Sequence, residues 1–150
     1  MRFSIAADEL TGVAAAIGGA LAGRGHEVVA RHGALAEDER DDWAWASEAA
    51  ARDVAGGEAE QAVVACWTGT GAAIAANKVA GIRAALCGDA ETARGARRWN
   101  DANVLALSLR STSEHELAEI LDAWLGTGPS ADAEDRANID HIAEVEHGDA

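Results

Sequence analysis

Short apolar runs alternate with longer amphipathic stretches along most of this chain, and that rhythm narrows the possible folds more than any other feature. "RFSIAA" (2–7), "HEVVAR" (26–31), "QAVVAC" (61–66), "IRAALC" (82–87) and "NVLALS" (103–108) have the length and apolar content of strands. Between them lie "GVAAAIGGALAGRG", ending near Gly25, "AWASEAAARDVAGG", stopped by Gly56 and Gly57, the short "AAIAANKVA", and "AETARGARRW". "SEHELAEILDAWL" follows the last strand, with Ser113 and Glu116 placed as a capping box. "ALAEDERDDW" (34–43) reads as an acidic loop. Strand and helix in strict alternation specify βαβ units, hence an α/β fold with a five-stranded parallel sheet. "QAVVAC" is almost uninterruptedly apolar, as a strand covered on both faces should be.

After Gly126 and the single proline, Pro129, a last helix is expected to restart near Ser130 or Ala131. Ile139, Ile142 and Val145 recur on it at i, i+3, i+6, one narrow apolar stripe on a charged helix. Such a stripe needs a partner surface, in its own domain or in a second subunit. At 150 residues the chain is read as a single domain spanning 1–150.

Charge excludes some functions. With 12 Lys plus Arg against 26 Asp plus Glu, net charge is −14, and no basic surface is available for nucleic acid or anionic lipid. No apolar run is long enough for a membrane span. The start "MRFSIAADEL" does not read as a signal or transit peptide. Two cysteines, Cys66 and Cys87, support neither a disulfide framework nor a cysteine zinc site, and a cytoplasmic location fits. His26, His32, His115, His141 and His147 lack metal-ligand spacing and read as solvated side chains, so neither metal nor cofactor is expected.

In an open parallel sheet, ligands gather beyond the carboxyl ends of the strands. Asp8 and Glu9 follow the first strand, "CWTGTG" follows the third, and Trp99, Asn100 and Asp101, preceding the fifth, are expected to join them. Gly69 and Gly71 allow positive φ and expose N–H groups at a helix start, a geometry suited to negative oxygen. Cys66 beside that start is a candidate base, although a free Cys ending an apolar strand is more often a small core residue than a catalyst. Asp8 is either an acid/base or a helix cap.

The run "CWTGTGAAIAANKVAGIRAALCGDAETARGARRWNDANVLALSLR" and the later "ELAEILDAWL" resemble the type B ribose-5-phosphate isomerase family, which includes the galactose-6-phosphate isomerase subunits. The resemblance implies a Rossmann-like three-layer α/β/α domain. It also implies a homodimer, with a dimer of dimers also open, whose residues 129–150 form a dimer-packing helix exchanged across the interface. Family members interconvert aldose and ketose phosphates without metal through an enediolate held by the glycine-rich turn. Carried over, the resemblance makes Cys66 the base, with Asp8 and Thr68 beside it, and places Gly69, Thr70, Gly71, Asn100 and Arg110 around the substrate. Some relatives carry a Glu in the turn where Ala72 stands here.

The departures concern the anion anchor. Glu9 replaces the family's phosphate-binding His, Glu134 and Asn138 occupy the positions of its two phosphate-binding arginines, and Arg136 stands between them. Carboxylates where a phosphate would sit replace attraction with repulsion. The ring-opening His becomes Trp99, the first turn glycine becomes Trp67, and Trp43 falls near a family Asp-Tyr-Pro, so three Trp rings are expected to line one pocket. The expectation is a divergent, cofactor-free proton-transfer isomerase acting on a non-phosphorylated substrate. Two alternatives stand beside it: a tailoring enzyme for an aromatic or polycyclic secondary metabolite, and a non-catalytic subunit.

Overall fold

The computed structural model describes residues 1–148. Its strands are β1 (Arg2–Ala7), β2 (Glu27–Gly33), β3 (Gln61–Cys66), β4 (Ala84–Leu86) and β5 (Val104–Ser108). All pair in parallel in the order β2-β1-β3-β5-β4. The helices are α1 (Ile17–Ala22), α2 (Trp43–Ala55), α3 (Thr70–Asn77), α4 (Ala90–Asn100), α5 (Glu114–Leu125) and α6 (Ala133–His147). The arrangement is the expected Rossmann-like α/β fold.

Two apolar cores explain the layering. On one face Phe3, Ile5, Val63, Leu105 and Leu107 pack against α1, α4 and α5; on the other Ala6, Val64 and Ala106 meet the alanine-rich α2 and α3. Every residue of β3 is buried, which is why its sequence shows no polar alternation. Trp124, expected to be structural, is buried on α5 and its indole N–H donates to Gln61 Oε1 at 2.7 Å. The Ser113–Glu116 capping box forms as expected, with bonds of 3.0 and 3.1 Å.

Several boundaries differ from expectation, three of them for a visible reason. The first helical segment begins as a 3-10 turn (Ala14–Ala16), and α1 holds only six residues, because Gly18 and Gly19 favour helix weakly. β4 has three residues rather than six: side-chain amides compete for its backbone, Asn77 Oδ1 accepting from Ala84 N at 2.7 Å and Asn103 Oδ1 from Arg83 N at 2.8 Å. The last helix starts at Ala133, since Ser130 Oγ accepts from the amide of the extended Asp132 and delays the first turn.

α6 lies along α4 of its own chain, tethered by Glu146, whose carboxylate accepts from Gly81 N at 2.9 and 3.0 Å. Ile139 and Ile142 face a cavity against α4, yet no residue of α6 is buried and Val145 stays exposed.

Candidate active site

Strand order reverses between β1 and β3, and a crevice opens there beyond their carboxyl ends. β3 ends at Cys66, and the backbone turns at once. Leu109 N donates to Cys66 O at 2.9 Å; Arg110 N and Ser108 Oγ both donate to Trp67 O at 3.0 Å. With its carbonyl pinned, Trp67 throws its ring outward, 53% exposed.

Gly69 then caps α3 at φ +78°, where a Cβ would lie 2.5 Å from Leu86 Cδ1 and 2.9 Å from the Leu107 carbonyl. No other residue fits that position without displacing the sheet. α3 therefore starts hard against the strand ends, and its first amides have no acceptor within the helix. Ala72 N points at Cys66 Sγ, 3.4 Å away. Thr68 and Thr70 share a hydroxyl hydrogen bond of 2.8 Å on the rim.

Cys66 is only 4% exposed, but that remaining surface lines a cleft of about 330 Å³ with Asp8, Trp43, Trp67, Thr68, Thr70 and Gly71. The volume falls at the lower end of ligand-binding cavities. Trp43, 46% exposed, forms one wall by lying against Gly71, where a Cβ would come within 2.8 Å of its ring.

Asp8 Oδ1 is buried without a hydrogen-bond partner. Burial, followed by the charge of Glu9 and aided by that of Asp41, holds the Asp8 carboxyl above the ordinary carboxylate range against the pull of its own backbone hydrogen bond. The protonated acid thus persists to higher pH than a solvated Asp would allow. Among the described residues no Lys or Arg lines the cleft. Arg110 stands exposed at the foot of the turn, outside the lining set.

The expected convergence of three Trp rings is corrected within one chain. Trp99, Asn100 and Asn138 line a second cavity of about 370 Å³ with Ile139 and Ile142 of α6. In a parallel sheet, residues preceding β5 lie at the amino edge, opposite the end where β3 delivers Cys66. Trp99 folds back along α4 onto Gly95, where a Cβ would meet its ring at 2.8 Å. Asp101, left-handed at φ 44°, ends α4 and is gripped by Arg97 Nη1 at 3.1 Å and by Arg83 Nε, which donates to its carbonyl at 2.7 Å. Glu134 is exposed in the first turn of α6, its carbonyl accepting from Asn138 Nδ2 at 2.9 Å.

His32 is the polar group that sequence reasoning missed. Read as solvated, it is instead held between two carboxylates, Nε2 at 2.7 Å from Asp53 Oδ2 and Nδ1 at 2.8 Å from Glu39 Oε1. Its partners lie 7 and 21 residues away, so no local spacing announces the bridge. Among the described residues no cluster of three or more His, Cys, Asp or Glu is arranged to hold a metal.

A thiol, a carboxyl and an amide-bearing helix start around a crevice at the switch point define a Rossmann-like α/β domain with a small-molecule cleft. The chain belongs to the ribose/galactose isomerase family, whose model, described as Ribose/Galactose Isomerase, matches residues 3–142. It is similar to ribose-5-phosphate isomerase B of Escherichia coli, 44% identical over 88 residues, a stretch that spans 59% of each chain. It is also similar to 4-deoxy-4-sulfo-D-erythrose isomerase of a Clostridium species, 35% identical over 108 residues, 72% of this chain and 67% of that one. Among solved structures, Clostridium thermocellum ribose-5-phosphate isomerase B superposes with a TM-score of 0.88 at 33% identity, covering all of both chains.

Proposed function

We propose that this protein is a divergent, cofactor-free isomerase that moves a proton between neighbouring carbons of an open-chain hydroxy-carbonyl substrate lacking a phosphate. The observation carrying this reading is the composition of one cleft: Cys66, Asp8 and the residues opening α3, Thr70 and Gly71, line it, and among the described residues no basic side chain of the same chain does. Cys66 Sγ, as thiolate, takes the proton from the carbon next to the carbonyl. The electron pair moves onto the carbonyl oxygen, which the amides at Thr70 and Gly71 receive, while protonated Asp8 supplies the proton. Asp8, having given its proton to that oxygen, takes the proton of the neighbouring hydroxyl as the thiol returns its own to the former carbonyl carbon, so the new carbonyl forms and both groups are restored. Thr68 and Thr70 order the rim.

Glu9 beside Asp8, and Asp41 close enough to raise it, support a neutral substrate over a phosphate ester. The sulfo-sugar named for one relative supports a cleft not tied to phosphate within this family. The second cavity enters through symmetry. Trp99, Asn100, Asn138 and Glu134 serve the cleft of a partner in a homodimer, which would also cover the half-exposed stripe of α6.

A second reading is favoured by the aromatic walls alone. Trp43 and Trp67 suit a flat ligand, and Asp8 would then act without Cys66 in a tailoring reaction. Both readings meet one experiment: incubation in D₂O with neutral, sulfonated and phosphorylated tetroses to hexoses, followed by NMR for aldose–ketose conversion and C–D incorporation. Turnover of a neutral sugar that falls about 10³-fold in Cys66→Ala is expected. Faster turnover of the phosphorylated counterpart overturns the lost anion anchor. An unchanged rate in Cys66→Ala transfers the chemistry to Asp8.

A further inference from the structure

The loop from Ala34 to Asp42 joins β2 to α2 and delivers Trp43 to the cleft. It is acidic, with Glu37, Asp38, Glu39, Asp41 and Asp42 taking five of its nine positions, and beyond Leu35, which packs on the core, and Ala36 it is exposed. Its terminal residue, Asp42, precedes α2 without a side-chain cap, pairing instead with Arg40 at 2.7 Å. An uncapped first turn frays readily, so Trp43 depends on the loop before it as well as on its seat against Gly71.

The start of the loop is held by Ala34 N, which donates to Ala7 O at 2.8 Å, and Arg40 stacks over the Trp45 ring; the side chain that ties the middle of the loop back to the sheet is Glu39. One of its oxygens accepts from Gly33 N at 2.8 Å; the other meets His32 Nδ1. His32 in turn reaches Asp53 on α2, whose same oxygen accepts from Ser4 Oγ at 2.7 Å. One imidazole ring therefore ties the loop to both the sheet and the helix that begins with Trp43.

Both ring nitrogens face carboxylate oxygens. A neutral imidazole has one N–H, so it can satisfy one of them and must set a lone pair against the other. Only the imidazolium donates to both. We propose that His32 is a positioning residue that, as an imidazolium bridging Asp53 and Glu39, holds the 34–42 loop and through it the Trp43 wall, and that loss of its proton releases that wall.

The surroundings agree. Burial alone would favour the neutral ring, but the hydrogen bonds to Glu39 and Asp53 and the charges of both outweigh it and raise His32 above its ordinary value of 6.5. Among the described residues the ring's ionic partners are Glu39 and Asp53 alone. β1 offers only the Ser4 hydroxyl; Arg31, next along β2, lays its guanidinium over Gly18, and Arg52 pairs with Glu48 on the outer side of α2. Because the folded-state value is raised, the clamp is complete below 6.5 and is lost as pH climbs through the higher folded value. Glu39, more exposed than Asp53, lets go first. Its departure carries Asp41, which lies close to Asp8, away from the cleft.

The test is NMR on ¹⁵N-labelled protein, following the His32 ring nitrogens and the Trp43 indole N–H, assigned through Trp43→Phe, from pH 5 to 9. His32 should titrate above 6.5 and the Trp43 signal should move with the same midpoint. His32→Gln should abolish that movement, and Glu39→Gln, on an exposed loop where folding is not at stake, should lower both midpoints together. A His32 midpoint at or below 6.5, a Trp43 shift that survives His32→Gln, or midpoints that separate in Glu39→Gln overturns the clamp. The measurement uses no substrate, so its failure is distinguishable from failure of the isomerase reading, on which only the consequence for turnover rests.

Discussion

The two cavities use the same device and differ in what holds it. In each, a Trp ring is seated on a glycine: Trp43 on Gly71 at the carboxyl ends of β1 and β3, and Trp99 on Gly95 on the opposite side of the sheet. The first seat is fixed by close backbone geometry, since Gly69 has no room for a Cβ and the turn is bonded to the end of β5. The second depends on a side-chain network, Arg83 and Arg97 gripping Asp101, with an α6 that buries none of its residues. On the proposed reading the chemistry sits at the first site, while aromatic surface, side-chain amides and Arg83 line the other. Under the homodimer proposed above, the two cavities would be halves of one site.

The largest effect expected from that division is in activity. Cys66→Ala and Asn100→Ala homodimers should each lose turnover by about 10³-fold if the two residues serve one reaction. Refolded together, they form heterodimers with one doubly damaged and one intact site, and a random mixture should recover about a quarter of wild-type activity. Recovery measured against mixing ratio checks this. Absence of recovery, with dimers seen by analytical ultracentrifugation, would break the comparison by placing Asn100 outside the partner's cleft.

Next comes rigidity. Gly69→Ala forces a Cβ into the left-handed region and against Leu107 and Leu86, so it should cost about 2–4 kcal/mol in urea unfolding. A loss under about 1 kcal/mol would mean that the turn yields, and the first site would then be no stiffer than the second.

Much of this is legible in the sequence. β1 and β3 match their sequence runs end to end because both are covered on two faces, and apolar continuity reports such burial directly. The Cys66–Gly71 turn is readable in part: Gly69 takes the positive φ expected at a helix start, whereas Gly71 does not and is instead the seat of the Trp43 ring. The features that escape the sequence have non-local causes. β4 is shortened by Asn77 and Asn103, whose amides compete for its backbone. His32 gains its partners only when α2 packs on the sheet. Trp99 lies at the other end of the sheet from the one expected, although strand polarity contains the answer: a residue just before one parallel strand and a residue just after its neighbour sit at opposite edges.

The smallest energetic effect is expected at Gly95, and it separates the two seats most cleanly. A Cβ there meets nothing but the Trp99 ring, the movable end of an exposed side chain. Alanine in place of helical glycine gains up to about 1 kcal/mol of helix propensity, while the ring must swing aside, so Gly95→Ala should unfold within about 1 kcal/mol of wild type. The local consequence is larger than the global one. Trp99, displaced from α4, would no longer present the same face to a partner, and the variant should lose its power to rescue Cys66→Ala in the mixing assay while keeping its stability. Gly71→Ala pushes on the Trp43 ring in the same way, but there the wall belongs to the cleft of the same chain, so it should lower activity without any dependence on its partner. If Gly95→Ala instead behaved like Gly71→Ala in every mixture, Trp99 would serve its own chain and the two cavities would be independent.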